Sequence, residues 1–477
     1  MSEHWPNSGV DLHLELDATM GRQSGLENAL RTAIRSGRLA AESRLPATRK
    51  LATELGLSRG TVRAAYDQLI AEGYLTARQG SGTTVARLPP HQQDPPGPDP
   101  VPDRIRHDLR PGGPDACAFP TTAWLRAARR ALTSLPADIY RYDDPRGRIE
   151  LRTALTEYLG RSRGVLAHPD HIVITNGYTQ ALALLTTALG ENSTPTIAME
   201  DPGADFHRAI ARHHGAVIVP LPVDEHGART DLLTNPEFTT IDAVEVTAAH
   251  QYPTGATLHP QRRQLLIAWA RSRGGLIIEN DYDGEFRYDR QPVGAIQGTA
   301  PDHVAYVGTV SKTLGPALRL GWIVTPPRLL EPVIEAKRHA DRHTESLGQL
   351  TLTELITTHA YDRHIRASRL RYRRRRDLLL DCLRPWSTGP RSTLSIHGIA
   401  AGLKTLVRFD SSELTEHQTK RVTAEFDLAV GYLGDRWHTP GNHPQGIVLG
   451  YSTPPEHAYP AALEALTHTL RALHRTR

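Results

Sequence analysis

Lys312 stands between two hydroxyl residues in the stretch Gly308-Thr-Val-Ser-Lys-Thr-Leu-Gly-Pro-Ala-Leu-Arg-Leu-Gly-Trp322, with Arg319 a short distance downstream. A lysine amine forms a Schiff base with a carbonyl, while Thr309, Ser311 and Arg319 offer two hydroxyls and a planar cation to a phosphate. An aldehyde that carries a phosphate satisfies both halves of the motif, and pyridoxal 5'-phosphate (PLP) is the natural ligand of that kind. Far upstream, residues of a different character point to DNA. The function has to accommodate both.

Elements able to position the lysine surround it. From Ile105 onward helical segments alternate with short apolar strands at 171–175, 196–199, 216–219, 276–278 and 303–307, the pattern of an α/β unit with a mostly parallel sheet. Such sheets hold ligands at the carboxyl ends of their strands. The polar motifs fall there: Tyr142-Asp-Asp-Pro-Arg-Gly147, Thr175-Asn-Gly-Tyr-Thr-Gln-Ala-Leu182, Tyr252-Pro-Thr-Gly255 and Glu279-Asn-Asp-Tyr-Asp-Gly-Glu-Phe-Arg287. The turn Gly177-Tyr178-Thr179 opens a helix, so its backbone donors and the helix dipole favour a phosphate dianion.

Residues 88–104 are so rich in proline that neither helix nor sheet can form. They are expected to be a semi-rigid linker of about 3 Å per residue, between a head at 1–87 and a body at 105–477. In the head, Leu26, Ala29, Leu30, Ala33 and Ile34 recur at helical spacing and stop at Gly37. A second helix is expected over 48–55, ending at Gly56. Ser58 is a good N-cap for a third, with Val62, Ala65 and Leu69 on one face and Arg59, Thr61 and Arg63 pointing elsewhere. After Gly73 the chain reads as strand, glycine turn, strand. Helix, helix–turn–helix and hairpin make a winged helix.

At 477 residues and 39% hydrophobic content the chain supports two or three globular units. A net charge of +4 permits a nucleic-acid partner without demanding one. Cys117 and Cys382 are far apart and lack further ligands at metal spacing, so neither a disulfide framework nor a metal site is expected. No basic segment leads into an apolar one at the N-terminus, and no run approaches the roughly 18 apolar residues of a membrane span. A cytoplasmic protein is the expectation.

Leu45-Pro-Ala-Thr-Arg-Lys-Leu-Ala52, Leu57-Ser-Arg-Gly-Thr-Val62 and Glu72-Gly-Tyr-Leu75 resemble the GntR-type winged helix–turn–helix. The resemblance implies that the helix starting at Ser58 enters the major groove of double-stranded DNA and that Arg59, Thr61 and Arg63 contact bases or phosphates. It implies that Arg49 holds a phosphate and that Arg78, Gly80 and Gly82 reach the backbone or minor groove. The body motifs, in their order, resemble fold-type I PLP enzymes of the class I aminotransferase group. Joined to such a head, His-Gln-Tyr-Pro-Thr-Gly and Asp-Tyr-Asp-Gly-Glu-Phe-Arg resemble the MocR subfamily of transcriptional regulators. By that resemblance Tyr282 hydrogen-bonds the ring O3', Tyr252 stands near the same oxygen, and Tyr142 comes from the other subunit of a head-to-tail homodimer to the phosphate.

Three departures bear on catalysis. The position expected to face the pyridine nitrogen with an aspartate is Asn280, and an amide cannot keep the ring protonated as a carboxylate does; Asp281 is an alternative carboxylate. After Asp201-Pro202-Gly203 the usual aromatic is Ala204, with Phe206 as an alternative. Val448 stands where transaminases carry the arginine for a substrate carboxylate. Together they suggest a pocket that holds PLP as an aldimine on Lys312, is poor at transamination, and serves as a sensor whose effector is an amino acid, an amine or PLP itself. An active aminotransferase with an accessory DNA-binding head is the alternative. The arginines of 366–376 read either as a basic helix of the smaller subdomain or as an auxiliary DNA contact.

Overall fold

The computed structural model describes residues 14, 21–78, 82–87, 105–134, 137–191, 193–288, 293–388, 392–410, 414–439 and 441–475. Gly80 and the 88–104 segment lie outside the described residues. Contacts divide the chain into two units, Met1–Pro102 and Asp103–Arg477.

The first unit has helices α1 (Arg22–Arg35), α2 (Thr48–Leu55) and α3 (Arg59–Ala71), then strands β1 (Leu75–Arg78) and β2 (Gly82–Val85) in antiparallel register. α2 ends at Gly56, whose φ of +64° is open to glycine at little cost. α3 begins where Ser58 Oγ accepts the Thr61 N–H at 3.0 Å. Its stripe of Val62, Ala65 and Leu69 packs with Leu26, Leu30 and Ala33 of α1 and Leu51 of α2. The wing has one pairing that the sequence pattern did not suggest. Arg44 bridges Thr84 in antiparallel fashion, and the Leu45 N–H donates to Thr83 O at 2.9 Å, so the segment before α2 adds a third edge.

Among the described residues of the second unit thirteen strands follow: β3 (His107–Leu109), β4 (Ile172–Thr175), β5 (Thr196–Asp201), β6 (Val217–Asp224), β7 (Gly227–Ala228), β8 (Ala243–Val246), β9 (Leu276–Asp281), β10 (Val304–Thr309), β11 (Gly321–Val324), β12 (Leu394–His397), β13 (Lys404–Phe409), β14 (Leu428–Tyr432) and β15 (Gly446–Gly450). The large sheet runs β4-β11-β10-β9-β8-β5-β6-β7. Pairs from β10 through β9, β8 and β5 to β6 are parallel, whereas β11 is antiparallel to both neighbours. Side-chain alternation sends Ile172 and Ile174 to one helical layer, with Leu151 and Leu155, and Val173 to the other, with Leu182 and Leu185. Both faces are therefore apolar, as a covered parallel sheet requires.

A smaller sheet, β12-β13-β15-β14-β3, is completed by the strand that opens the unit, since β3 pairs in parallel with β14. The helix Ala360–Ser387 packs on it through Tyr372, Leu379 and Leu383. That helix carries the arginine run, and the geometry favours the structural reading of it. Arg375 is 1% exposed and pairs with Asp115 at 2.9 Å and Glu456 at 2.8 Å, while Arg369 donates to Glu285 O at 2.7 Å. Arg366, Arg373 and Arg374 are the exposed members.

Candidate functional site

The turn between β10 and β11 and the entry to the helix Tyr178–Leu189 meet because their backbones come unusually close. A Cβ on Gly321 would lie 2.9 Å from Gly177 Cα, and one on Gly308 would lie 2.4 Å from Trp322 Nε1. Register aligns Thr309, Gly321 and Thr175 across three neighbouring strands. Gly177 is the N-cap of the helix at φ +84°, with no side-chain cap, so the first amides, including those of Tyr178 and Thr179, are left as donors. Arg319, itself at φ +50°, donates through Nη2 to Asn176 O, and its guanidinium lies 3.0 Å from where a Gly177 Cβ would be. Thr309 Oγ1 accepts the Ser311 N–H at 3.1 Å and lies 2.9 Å from Ser311 Oγ.

These groups open on a cavity of about 440 Å³ that also takes in Lys312, Tyr252, Asn280 and Tyr282. Lys312 Nζ donates to Gly112 O at 2.5 Å, and burial lowers the pKa of its amine against the opposing charge of Asp283. A lowered amine is the better nucleophile toward an aldehyde. Tyr282 donates to His250 O at 3.0 Å and accepts from Lys404 Nζ at 2.6 Å. Burial, reinforced by the charge of Asp283, raises its phenol well above the ordinary range, so it remains a neutral donor.

The other expected residues fall both inside and outside the cavity. Asp281 is on the opposite face of β9 from Asn280, where it takes Arg163 Nε at 2.6 Å and Tyr306 OH at 2.8 Å. A strand alternates its faces, so Asp281 cannot replace Asn280, and the expectation of a second carboxylate there is corrected. Tyr142 is 75% exposed and absent from the cavity of its own chain, beneath Arg342 at 4.2 Å from its ring centroid. Ala204 and Phe206 both line the cavity, but Phe206 is 60% exposed. Val448 is fully buried with Leu406 and Leu433 and does not reach the cavity.

Side chains that sequence reasoning missed complete the wall. Glu245 of β8 accepts from Tyr178 OH at 2.8 Å and Asn280 Nδ2 at 3.1 Å, with His207 Nδ1 at 3.7 Å. Burial alone would raise its carboxyl, but His207, Tyr178 and Asn280 outweigh it and hold the group below the usual range. Glu200 takes Thr247 Oγ1 at 2.5 Å, and burial together with the charge of Glu245 drives its carboxyl upward. Lys404, 6% exposed, is brought down to about 8 by burial, against Asp283. Arg436 lies over the Tyr252 ring at 5.7 Å and pairs with Asp205. A charge inside the apolar strand Ala-Val-Glu-Val or opening Lys-Thr-Leu-Val-Arg-Phe was a usable signal, because buried strands rarely carry one without a task.

The set fits an aromatic aldehyde phosphate. It offers an amine, a helix N-terminus with a cation for the phosphate, a phenol, and Asn280 Oδ1, a buried acceptor without a partner. Among the described residues no group of histidine, cysteine or carboxylate side chains is arranged to hold a metal, and no helix is long and apolar enough to cross a membrane.

In the head, Arg49, Arg59, Arg63 and Arg78 are exposed. Ser58 and Thr61 are occupied with each other, Oγ to Oγ1 at 2.8 Å, as parts of the cap. Gly82, at φ +84°, lies under the Arg44 guanidinium, 3.0 Å from where its Cβ would be, which adds Arg44 to the basic surface.

Residues 22–85 match the family of bacterial regulatory proteins, gntR family, and residues 114–421 match aminotransferase class I and II. The chain is 32% identical to the probable rhizopine catabolism regulatory protein MocR of Rhizobium meliloti, over 92% of each chain. It is 30% identical to the pyridoxine biosynthesis transcriptional regulator PdxR of Corynebacterium glutamicum, over 90% of this chain and 91% of that one. Among solved structures, LysN, the α-aminoadipate aminotransferase of Thermus thermophilus complexed with N-(5'-phosphopyridoxyl)-L-leucine, superposes with a TM-score of 0.69 at 22% identity. The match covers 78% of this chain and 94% of LysN.

Proposed function

The chain belongs to the MocR subfamily of GntR-type transcriptional regulators, and from that premise we propose that its body binds PLP at Lys312 and reports an effector to its DNA-binding head. The observation that carries the reading is the convergence on one cavity of Lys312, Arg319, the Ser311 hydroxyl and the amides after Gly177, in a chain that also carries a winged helix. When bound, PLP supplies a carbonyl that exchanges amines. Lys312 would hold it, Arg319 and the Tyr178–Leu189 helix N-terminus would hold its phosphate, and Tyr282 would donate to its phenolic oxygen by turning its one proton away from His250 O.

Lys404 and Arg436 give the cavity two further cations, which favours an effector with both an amine and an acidic group over a simple amine. PLP as its own effector is the second reading, supported by the likeness to a regulator named for pyridoxine biosynthesis. Allostery requires that the effector bind one state of the regulator better than another. A homodimer, with Tyr142 of each subunit serving its partner's phosphate, fits the exposure of Tyr142 and gains effective concentration on paired half-sites.

The test is the visible spectrum of the full chain with added PLP, for wild type and Lys312→Ala, followed by operator binding over a panel of amino acids. Cofactor absorbance that borohydride fixes only when Lys312 is present supports the reading, as does a change in DNA affinity with one class of amino compound. No uptake of PLP refutes it. Sustained production of keto acid favours the enzyme alternative.

A further inference from the structure

We propose that Glu245 keeps the ring nitrogen of the bound cofactor protonated by fixing which way round the Asn280 amide stands. The inference rests on the cofactor reading above and concerns the group that a lone amide was expected to forfeit.

Two buried side-chain polar atoms of the cavity lining lack a partner, Asn280 Oδ1 and Arg436 Nε, and only the first is an acceptor. The other buried carboxylates of the wall are engaged, Glu200 by Thr247 and Gln251, Asp283 by His250 at 2.8 Å. Asn280 is 2% exposed, so its carbonyl cannot turn to solvent, and a buried acceptor left without a donor is costly. What it needs is an N–H from the occupant. The ring nitrogen of PLP lies para to the aldehyde carbon and is the one ring atom able to carry such a proton.

Glu245 decides that the carbonyl, and not the NH₂, is presented. An ionised carboxylate only accepts, so Asn280 must give it Nδ2, at 3.1 Å, and Oδ1 is left on the other side. Tyr178 OH, at 2.8 Å, supports the ionised form from a second direction. The pair sits diagonally across the β8–β9 register, where Glu245 faces Ile278 and Asn280 is two residues further along the same face. The negative charge that a single aspartate would place against the ring has moved one strand away, with the amide as its relay. Glu245→Gln removes the charge and lets the amide turn, and an NH₂ directed at the nitrogen suits an unprotonated ring.

The experiment is a magic-angle-spinning ¹⁵N spectrum of the full chain loaded with ring-¹⁵N PLP. Wild type is expected in the protonated range, E245Q in the unprotonated range with about tenfold weaker cofactor binding, and the N280D/E245Q double variant, which puts the carboxylate against the ring, back in the protonated range. A protonated ring in E245Q overturns the inference, and so does an unprotonated ring in the wild type, whatever the variants do. If the wild type takes up no PLP, the cofactor reading fails and this inference with it; uptake with an unprotonated ring fails this inference alone.

Discussion

Replacing Lys404 by methionine should stabilise the cofactor-free protein near neutral pH. The amine, 6% exposed, titrates at about 8 instead of the ordinary 10.5. Below its folded pKa the lysine is protonated in both states, and the full cost of keeping that charge buried, about 3 kcal/mol, weighs on the folded one. Between the two values the unfolded chain binds a proton that the folded chain does not, so this group makes stability rise with pH from about 8 to 10.5. Methionine removes the charge at similar length but forfeits the 2.6 Å hydrogen bond to Tyr282, about 1 kcal/mol. Tyr282 is not orphaned, because it still donates to His250 O. The net gain is about 2 kcal/mol at pH ~7, shrinking to nothing or reversing at pH ~10. Urea unfolding of both proteins at the two pH values, read as the difference between them, isolates Lys404 from the buried tyrosines that titrate in the same alkaline range. A variant no more stable than wild type at neutral pH, or a difference that does not shrink as pH rises, refutes the reasoning. The same buried charge is what an acidic effector relieves, so K404M should also lose the effector response while retaining PLP.

Other outcomes follow from the same geometry. Gly177→Ala must adopt φ +84° and press its Cβ to 3.0 Å from Arg319; PLP affinity should fall tenfold or more (~1.4 kcal/mol) in an absorbance titration, while the head's DNA binding is spared. In the head, Arg59→Ala should relax sequence preference, whereas Arg49→Ala should weaken binding to all sequences alike and lower the salt slope by about 1, checked by titration across salt concentrations. Arg375→Met strands the buried Asp115 and should cost about 3–5 kcal/mol in urea unfolding. Arg373→Ala and Arg374→Ala, both exposed, should stay within about 0.5 kcal/mol. If the exposed pair proves the more damaging, the structural reading of the arginine run is wrong.

Much of the site was legible because its signals are local. A lysine and an arginine in one turn, a glycine that must open a helix at positive φ, and a serine that caps one are properties of a few adjacent residues. They hold whatever packs around them, which is why Lys312, Arg319, Gly177 and Ser58 stand in the structure where their neighbours in sequence required. Alternation along a strand is local too, and it suffices to exclude Asp281 from the cavity, since Asn280 and Asp281 are adjacent and must face opposite ways. The wing's third edge at Arg44 was not legible, because pairing with Thr84 is a contact between segments that no short pattern marks.

The chain by itself determined the two units, the lysine, arginine and helix-opening glycine of one and the winged helix of the other, through motifs whose physics is complete within a turn or a helix end. Which charges share the cavity was decided by sheet order. β8 lies beside β9, so Glu245 meets Asn280; the smaller sheet borders the cavity, so Lys404 reaches Tyr282. Along one strand, Asn280 presents an uncharged amide. Across two, it has a carboxylate beside it in Glu245, and a low-dielectric interior lets an ionised group act on its neighbour's hydrogen bonds. Strand neighbours are chosen by the packing of the whole sheet, and that choice is made only when the chain folds.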